Sequence, residues 1–171
     1  YHFGSKENLY TEVLRYVIAG SHLTKPSAML EQDDRLNTPE GTADVIYQII
    51  KEEYTPFFQP GQPRWYGRLI MRSMLDMNAS LQTIVEQVMR PEHEATKAIV
   101  LKVKPDMTDE EARLWAFAFI GQIAFYEFAR IPILMLLGRK DYDSRFLDKV
   151  RDHLARTIIA GLGLPQPKGK G

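Results

Sequence analysis

From Asp109 to Arg130 the chain carries apolar side chains on nearly every side of the helix it predicts. Trp115, Phe119, Gln122 and Tyr126 fall along one side. Phe117, Gly121, Ala124, Phe125 and Phe128 fall along the other. A helix of this kind in a soluble chain has to be covered twice, by its own domain or by a partner. Its most apolar stretch, Leu114 to Tyr126, is shorter than the roughly 20 residues of a spanning helix and contains Gln122, which argues against a membrane. Thr108-Asp109-Glu110-Glu111 is a capping box that opens the helix, and Gly121 and Ala124 are small enough to admit a close neighbour. A second apolar stripe, Phe146, Leu147, Val150, Leu154, Thr157, Ile158 and Gly161, lies on a final helix capped by Asp143.

The remaining sequence has the same periodicity and no period-two strand or hairpin signal. Ser5 caps a first helix with Leu9, Val13, Tyr16 and Val17 on one face, ending near Ser21 before a polar loop. Thr38-Pro39-Glu40 supplies a cap, a first-turn proline and a first-turn acid for a helix with Val45, Ile46, Ile49, Ile50, Tyr54 and Phe57 inward. Gln59-Pro60-Gly61-Gln62-Pro63 breaks it. A helix from Arg64 to Met77 follows, with Trp65, Leu69, Arg72 and Asp76 along one side. A further stripe, Leu81, Ile84, Val85 and Val88, is followed by Pro91, which predicts a kink or a restart. After Pro132 a short apolar piece runs to Leu137, where Gly138 stops it. The reading is an all-α bundle of about six to seven helices over residues 5–162, with an aperiodic tail at 163–171.

Composition narrows the function. Lys plus Arg and Asp plus Glu number 22 each, so no basic excess draws nucleic acid or an anionic membrane, and DNA binding would need a few placed residues or further sequence. With no cysteine there are no disulfides or thiolate sites, which fits the cytoplasm. The first residues, Tyr1-His2-Phe3-Gly4-Ser5-Lys6, are neither a signal peptide nor a start, and the expectation is a chain that begins inside a longer protein.

Tyr1-His2-Phe3-Gly4-Ser5-Lys6-Glu7-Asn8-Leu9-Tyr10 resembles the segment of TetR/AcrR regulators that leaves the recognition helix and begins the helix joining DNA-binding head to regulatory body. Arg72-Ser73-Met74, Asn78-Ala79-Ser80, Arg90-Pro91 and Gly121-Gln122 are similar to the subgroup typified by CecR. The resemblance makes residues 1–4 the end of a helix-turn-helix head otherwise absent from the chain, and 5–162 a ligand-binding and dimerisation domain. It implies that Tyr1, His2 and Lys6 contact DNA phosphates; a lysine in a first helical turn opposes the helix dipole and wants an anion in reach. It also implies a homodimer through the last two long helices, with Phe117, Gly121, Ala124, Phe125 and Phe128 meeting Val150, Leu154, Thr157, Ile158 and Gly161. The bland alternative is that these two helices form the middle of a monomeric core. By family habit the regulator is a repressor, reaching operator DNA through its head.

Methionines and aromatics in the middle of the chain suit a mostly apolar pocket for a small organic ligand, lined by Trp65, Met71, Arg72, Met89, Gln122 and Tyr126, although plain core packing explains such residues as well. Arg72, projected between Trp65 and Leu69, would need Asp76 or an anionic ligand if buried. An enzyme finds little support: there is no His-Glu-x-x-His, P-loop, dinucleotide fingerprint or nucleophile elbow, and no cofactor is expected. Glu92-His93-Glu94 reads as a solvated face before a metal site, because adjacent helical residues diverge. A helical protein-interaction adaptor, or an enzyme on a bundle, are the alternatives to a regulator.

Overall fold

The computed structural model describes residues 4–20, 33–58, 65–75 and 79–167, and no strand occurs among them. Helix α1 (Lys6–Gly20) starts where Ser5 Oγ accepts the Asn8 amide at 3.1 Å. Of the expected inner face Val17 is buried, together with Leu14, while Leu9 and Tyr16 are exposed, which corrects that face in part. Two apolar stripes compete on this helix, and the one that also carries Tyr10 faces the body. A 3-10 turn (Asp34–Asn37), capped by Asp33, leads into α2 (Pro39–Phe58), where Thr38 Oγ1 accepts the Gly41 amide at 3.1 Å. Val45, Ile46, Ile49 and Ile50 are buried as the spacing predicts. The side chains of Tyr54 and Phe57 lie outside the described residues.

Helix α3 (Trp65–Leu75) is followed by α4 (Ala79–Ile84), a π-helical turn (Val85–Met89) and α5 (Arg90–Val103) in one continuous run. The helix restarts at Pro91 as expected, the proline standing in the first turn of α5; just ahead of it the chain widens, the Arg90 amide reaching back to the Val85 carbonyl. The ring has no N–H and would crowd the carbonyl four residues earlier, and one wide turn relieves that. Helix α6 (Asp109–Phe128) carries the full capping box, Thr108 Oγ1 accepting the Glu111 amide at 3.2 Å and Glu111 accepting the Thr108 amide at 2.8 Å. A bend of 66° at Ala129 separates it from α7 (Arg130–Leu137), which begins earlier than Pro132 and ends at Gly138 with φ 62°. Helix α8 (Ser144–Gly161) is capped by Asp143, which accepts the Phe146 amide at 2.7 Å.

α5 lies along α6 and α2 along α8, and these four helices enclose the main core, with Ile46, Ile50, Val100, Phe119, Ile123 and Ile158 among its residues. Each such side chain contributes about 1.5–3 kcal/mol relative to exposure. Past α8, Leu164 packs on this core and its amide bonds the Ile159 carbonyl at 3.0 Å. Among the described residues a second, smaller cluster holds Leu14, Val17 and Ile84, with Leu69, Met74 and Met89 against it. The first helix belongs to that cluster, resting on α3 and α4. No single described helix is long and apolar enough to cross a membrane; α6 and α7 reach that length only together and across their bend.

Candidate functional site

The two sides of α6 have opposite fates. Ala112, Ala116, Phe119 and Ile123 are buried, and Trp115 and Tyr126 lean on the same core. On the far side Phe117, Phe125 and Phe128 are 55%, 57% and 54% exposed. Gly121 is exposed among them, and a Cβ there would meet nothing within 4 Å; Ala124 is half-buried. The open face continues onto α7 through Ile131 and Met135, the latter 77% exposed.

The terminal helix behaves differently from the sequence reading. Val150, Leu154 and Ile158 are buried in the chain's own core, because α8 lies along α2 and turns its apolar stripe inward. Only Thr157 and Gly161 of the expected interface set are exposed on this helix. Gly161 has a use within the chain, since a Cβ there would come within 2.7 Å of Trp115 Cη2.

The six expected pocket residues separate. Trp65 and Arg72 are exposed on α3, and the buried position expected for Arg72 is thereby corrected: that helix turns Ser73 inward instead. Met89 packs on the small cluster, Tyr126 on the main core, and Gln122 is half-buried on α6. The side chain of Met71, and Asp76 altogether, lie outside the described residues. So do Tyr1 and His2. Lys6 is exposed in the first turn of α1, directly after Gly4 at φ 68° and the Ser5 cap.

Three groupings escaped the sequence. His93 is buried against the Phe117 ring, with centroids 4.4 Å apart, and its Nε2 has no hydrogen-bond partner among the described residues. The read solvated face therefore holds for Glu94 and not for His93, because α6 covers that side of α5. Lys97 Nζ bridges Asp109 and Glu94 at 2.8 Å each, and Arg113 joins Asp109 at 2.9 Å. Hydrogen bonds from Lys97 and then Arg113 hold the Asp109 carboxyl below its ordinary value, and Lys97 does the same for Glu94. Lys97 is raised in return, by Asp109 first and Glu94 second. The third grouping links α1 to α3: Tyr10 Oη lies 2.9 Å from Ser73 Oγ and 3.3 Å from the Leu69 carbonyl. Spacing along one helix reveals Glu94 with Lys97 and Asp109 with Arg113; contacts between helices leave no such trace.

No group of three or more His, Asp or Glu among the described residues could hold a metal ion. No curated protein matches the chain. The family model of the C-terminal domain of the HTH-type transcriptional dual regulator CecR matches residues 43–162. That span opens and closes on buried residues, Ala43 and Leu162, and takes in α5, α6 and α8 whole together with most of α2, the four helices around the main core. With more than two thirds of its 171 residues inside the match, the chain belongs to the family of CecR C-terminal domains and is part of a TetR-type transcriptional regulator.

Proposed function

We propose that residues 5–162 are the ligand-responsive, dimer-forming body of a cytoplasmic repressor whose DNA-binding head precedes them. The observation that carries this reading is the open phenyl face of α6, set opposite a packed core on the same helix. Two copies related by a two-fold axis present the same face to each other, so one patch serves both subunits. Gly121, with open space beyond its Cα, lets the helices approach while Phe117, Phe125 and Phe128 interleave around it. A small organic ligand that binds one body conformation better than the other changes the separation of the paired heads, and operator affinity falls. Trp65 and Arg72, exposed on α3, support a ligand with an apolar body and an anionic end. The protein acts by binding alone, with no cofactor.

Sedimentation of the chain at micromolar concentration is expected to give twice the 19.7 kDa monomer mass, and Gly121→Arg to give the monomer. A wild-type monomer with a normal fold would overturn the dimer and favour a helical adaptor that uses this face for another protein. In the full-length regulator, Lys6→Ala is expected to weaken operator and random duplex alike and to lower the salt slope by about one per site. A loss confined to one base position would assign Lys6 to base readout instead of phosphate contact. Thermal shifts with a panel of organic acids should disappear in Arg72→Met, and shifts with neutral compounds should not.

A further inference from the structure

His93 holds a buried polar atom that the surrounding side chains leave unserved. The residue is 8% exposed, and its Nε2 has no hydrogen-bond partner among the described residues. Nδ1, on the other side of the ring, lies 3.9 Å from Glu94 Oε1, too far for a hydrogen bond. An unserved buried nitrogen is costly, and a molecule that comes and goes accounts for its being kept. The cover over it is one ring. Phe117 of α6 stands on the imidazole with centroids 4.4 Å and planes 53° apart, yet Phe117 is 55% exposed, so its outer side is open. One turn further along α6 comes Gly121. A side chain at 121 would lean back over the turn that carries Phe117, whereas glycine leaves that ground bare, with nothing within 4 Å of the Cβ position. A notch about the size of one side chain therefore opens beside the ring that covers His93.

A second copy of the chain does not serve Nε2 through this face. Leu114, Phe117, Ala118, Gly121 and Phe125 are all exposed on it, and none has a polar side chain. We propose that the seam between α5 and α6 binds a small neutral aromatic alcohol, its hydroxyl on His93 Nε2 and its ring in the notch beside Phe117. The hydroxyl follows from the imidazole: Nε2 donates or accepts according to which nitrogen carries the proton, and a hydroxyl answers both. A carboxylate would be repelled by Glu94, because Lys97 and Arg113 are already engaged by Glu94 and Asp109. An ammonium would meet those same two cations. The single ring follows from the size of the notch and from the Phe117 ring as its wall, against which an aromatic guest packs by its edge or face. Turning Phe117 aside exposes Nε2, and the guest holds that conformation by binding it better than the closed one. The site goes beyond the contact proposed at Trp65 and Arg72. It lies on other helices, takes an uncharged molecule, and stands whether or not the chain is a regulator.

The test titrates the full chain with phenol and with toluene, which has nearly the same shape and no hydroxyl. Calorimetry gives the affinities, and NMR follows the imidazole nitrogens of His93. Phenol is expected to bind about three- to tenfold more tightly than toluene, the scale of one hydrogen bond, and to move the Nε2 resonance. In His93→Leu that preference should disappear, and Gly121→Val should close the notch to both compounds. Should His93→Leu fold poorly, the Nε2 resonance of the wild-type protein decides the matter by itself. Equal affinity for phenol and toluene in the wild type, or binding of neither, would overturn the proposal. So would phenol binding that leaves Nε2 unmoved, or a crystal grown with phenol in which an ordered water keeps that nitrogen.

Discussion

Glycine 161 shows how one atom decides between an inward and an outward role. A methyl group there would lie 2.7 Å from the edge of the Trp115 ring, so the position admits only hydrogen unless the indole moves. Gly161→Ala is expected to cost about 1–3 kcal/mol by overpacking, measured as a shift in urea midpoint, and most of that cost should vanish when Trp115→Leu makes room. Additive losses would show that the two positions do not compete for the same space. His93 gives a prediction of opposite sign. Its buried Nε2 finds no acceptor among the described residues, and its ring packs on Phe117, so His93→Leu should be neutral or stabilise by up to about 1 kcal/mol. A loss above that range would point to a partner for the imidazole. From the sequence Gly161 reads as part of an intermolecular stripe and His93 as part of a solvated one, because periodicity gives the direction of a side chain and not what stands opposite.

At the scale of the element, the helix starts were readable because capping is a local transaction of three or four residues. Thr108 and Glu111 satisfy each other's backbone partners as their spacing demands, and Thr108→Ala should cost about 1 kcal/mol in thermal or denaturant unfolding. The ion network at the same junction adds a pH dependence. Asp109 and Glu94 are held below their ordinary carboxylate values, so their favourable contribution is complete above that range and is lost as pH falls through the lowered values. Lys97, raised from 10.5, contributes through neutrality and loses its share only in stronger alkali. Acid titration of stability should accordingly be shallower in Glu94→Gln/Asp109→Asn than in wild type; identical acid limbs would show the network to be ornamental. The π-helical turn ahead of Pro91 was not readable, since a proline forbids one geometry without selecting its substitute. Nor was the winning stripe on α1 beyond Val17, since Leu14 prevails over Leu9 and Tyr16 only because α3 and α4 lie on that side.

For the whole molecule, the all-α class was readable from one period repeated along the chain, and the open side of α6 from its lack of any polar face. The allocation of α8 was not, because two apolar stripes can meet within a chain or across a two-fold axis with the same pattern. The division into a large and a small apolar cluster has a kinetic consequence. Local opening costs scale with the packed surface that must be broken, so, as far as the described residues go, the unit that holds Leu14, Val17 and Ile84 opens more easily than the one built on four long helices. Amide protons of α1, α3 and α4 should exchange with deuterium orders of magnitude faster than those of α2 and α8. The body would then resemble a rigid block with a hinged bracket, and the bracket is the part continuous with Lys6.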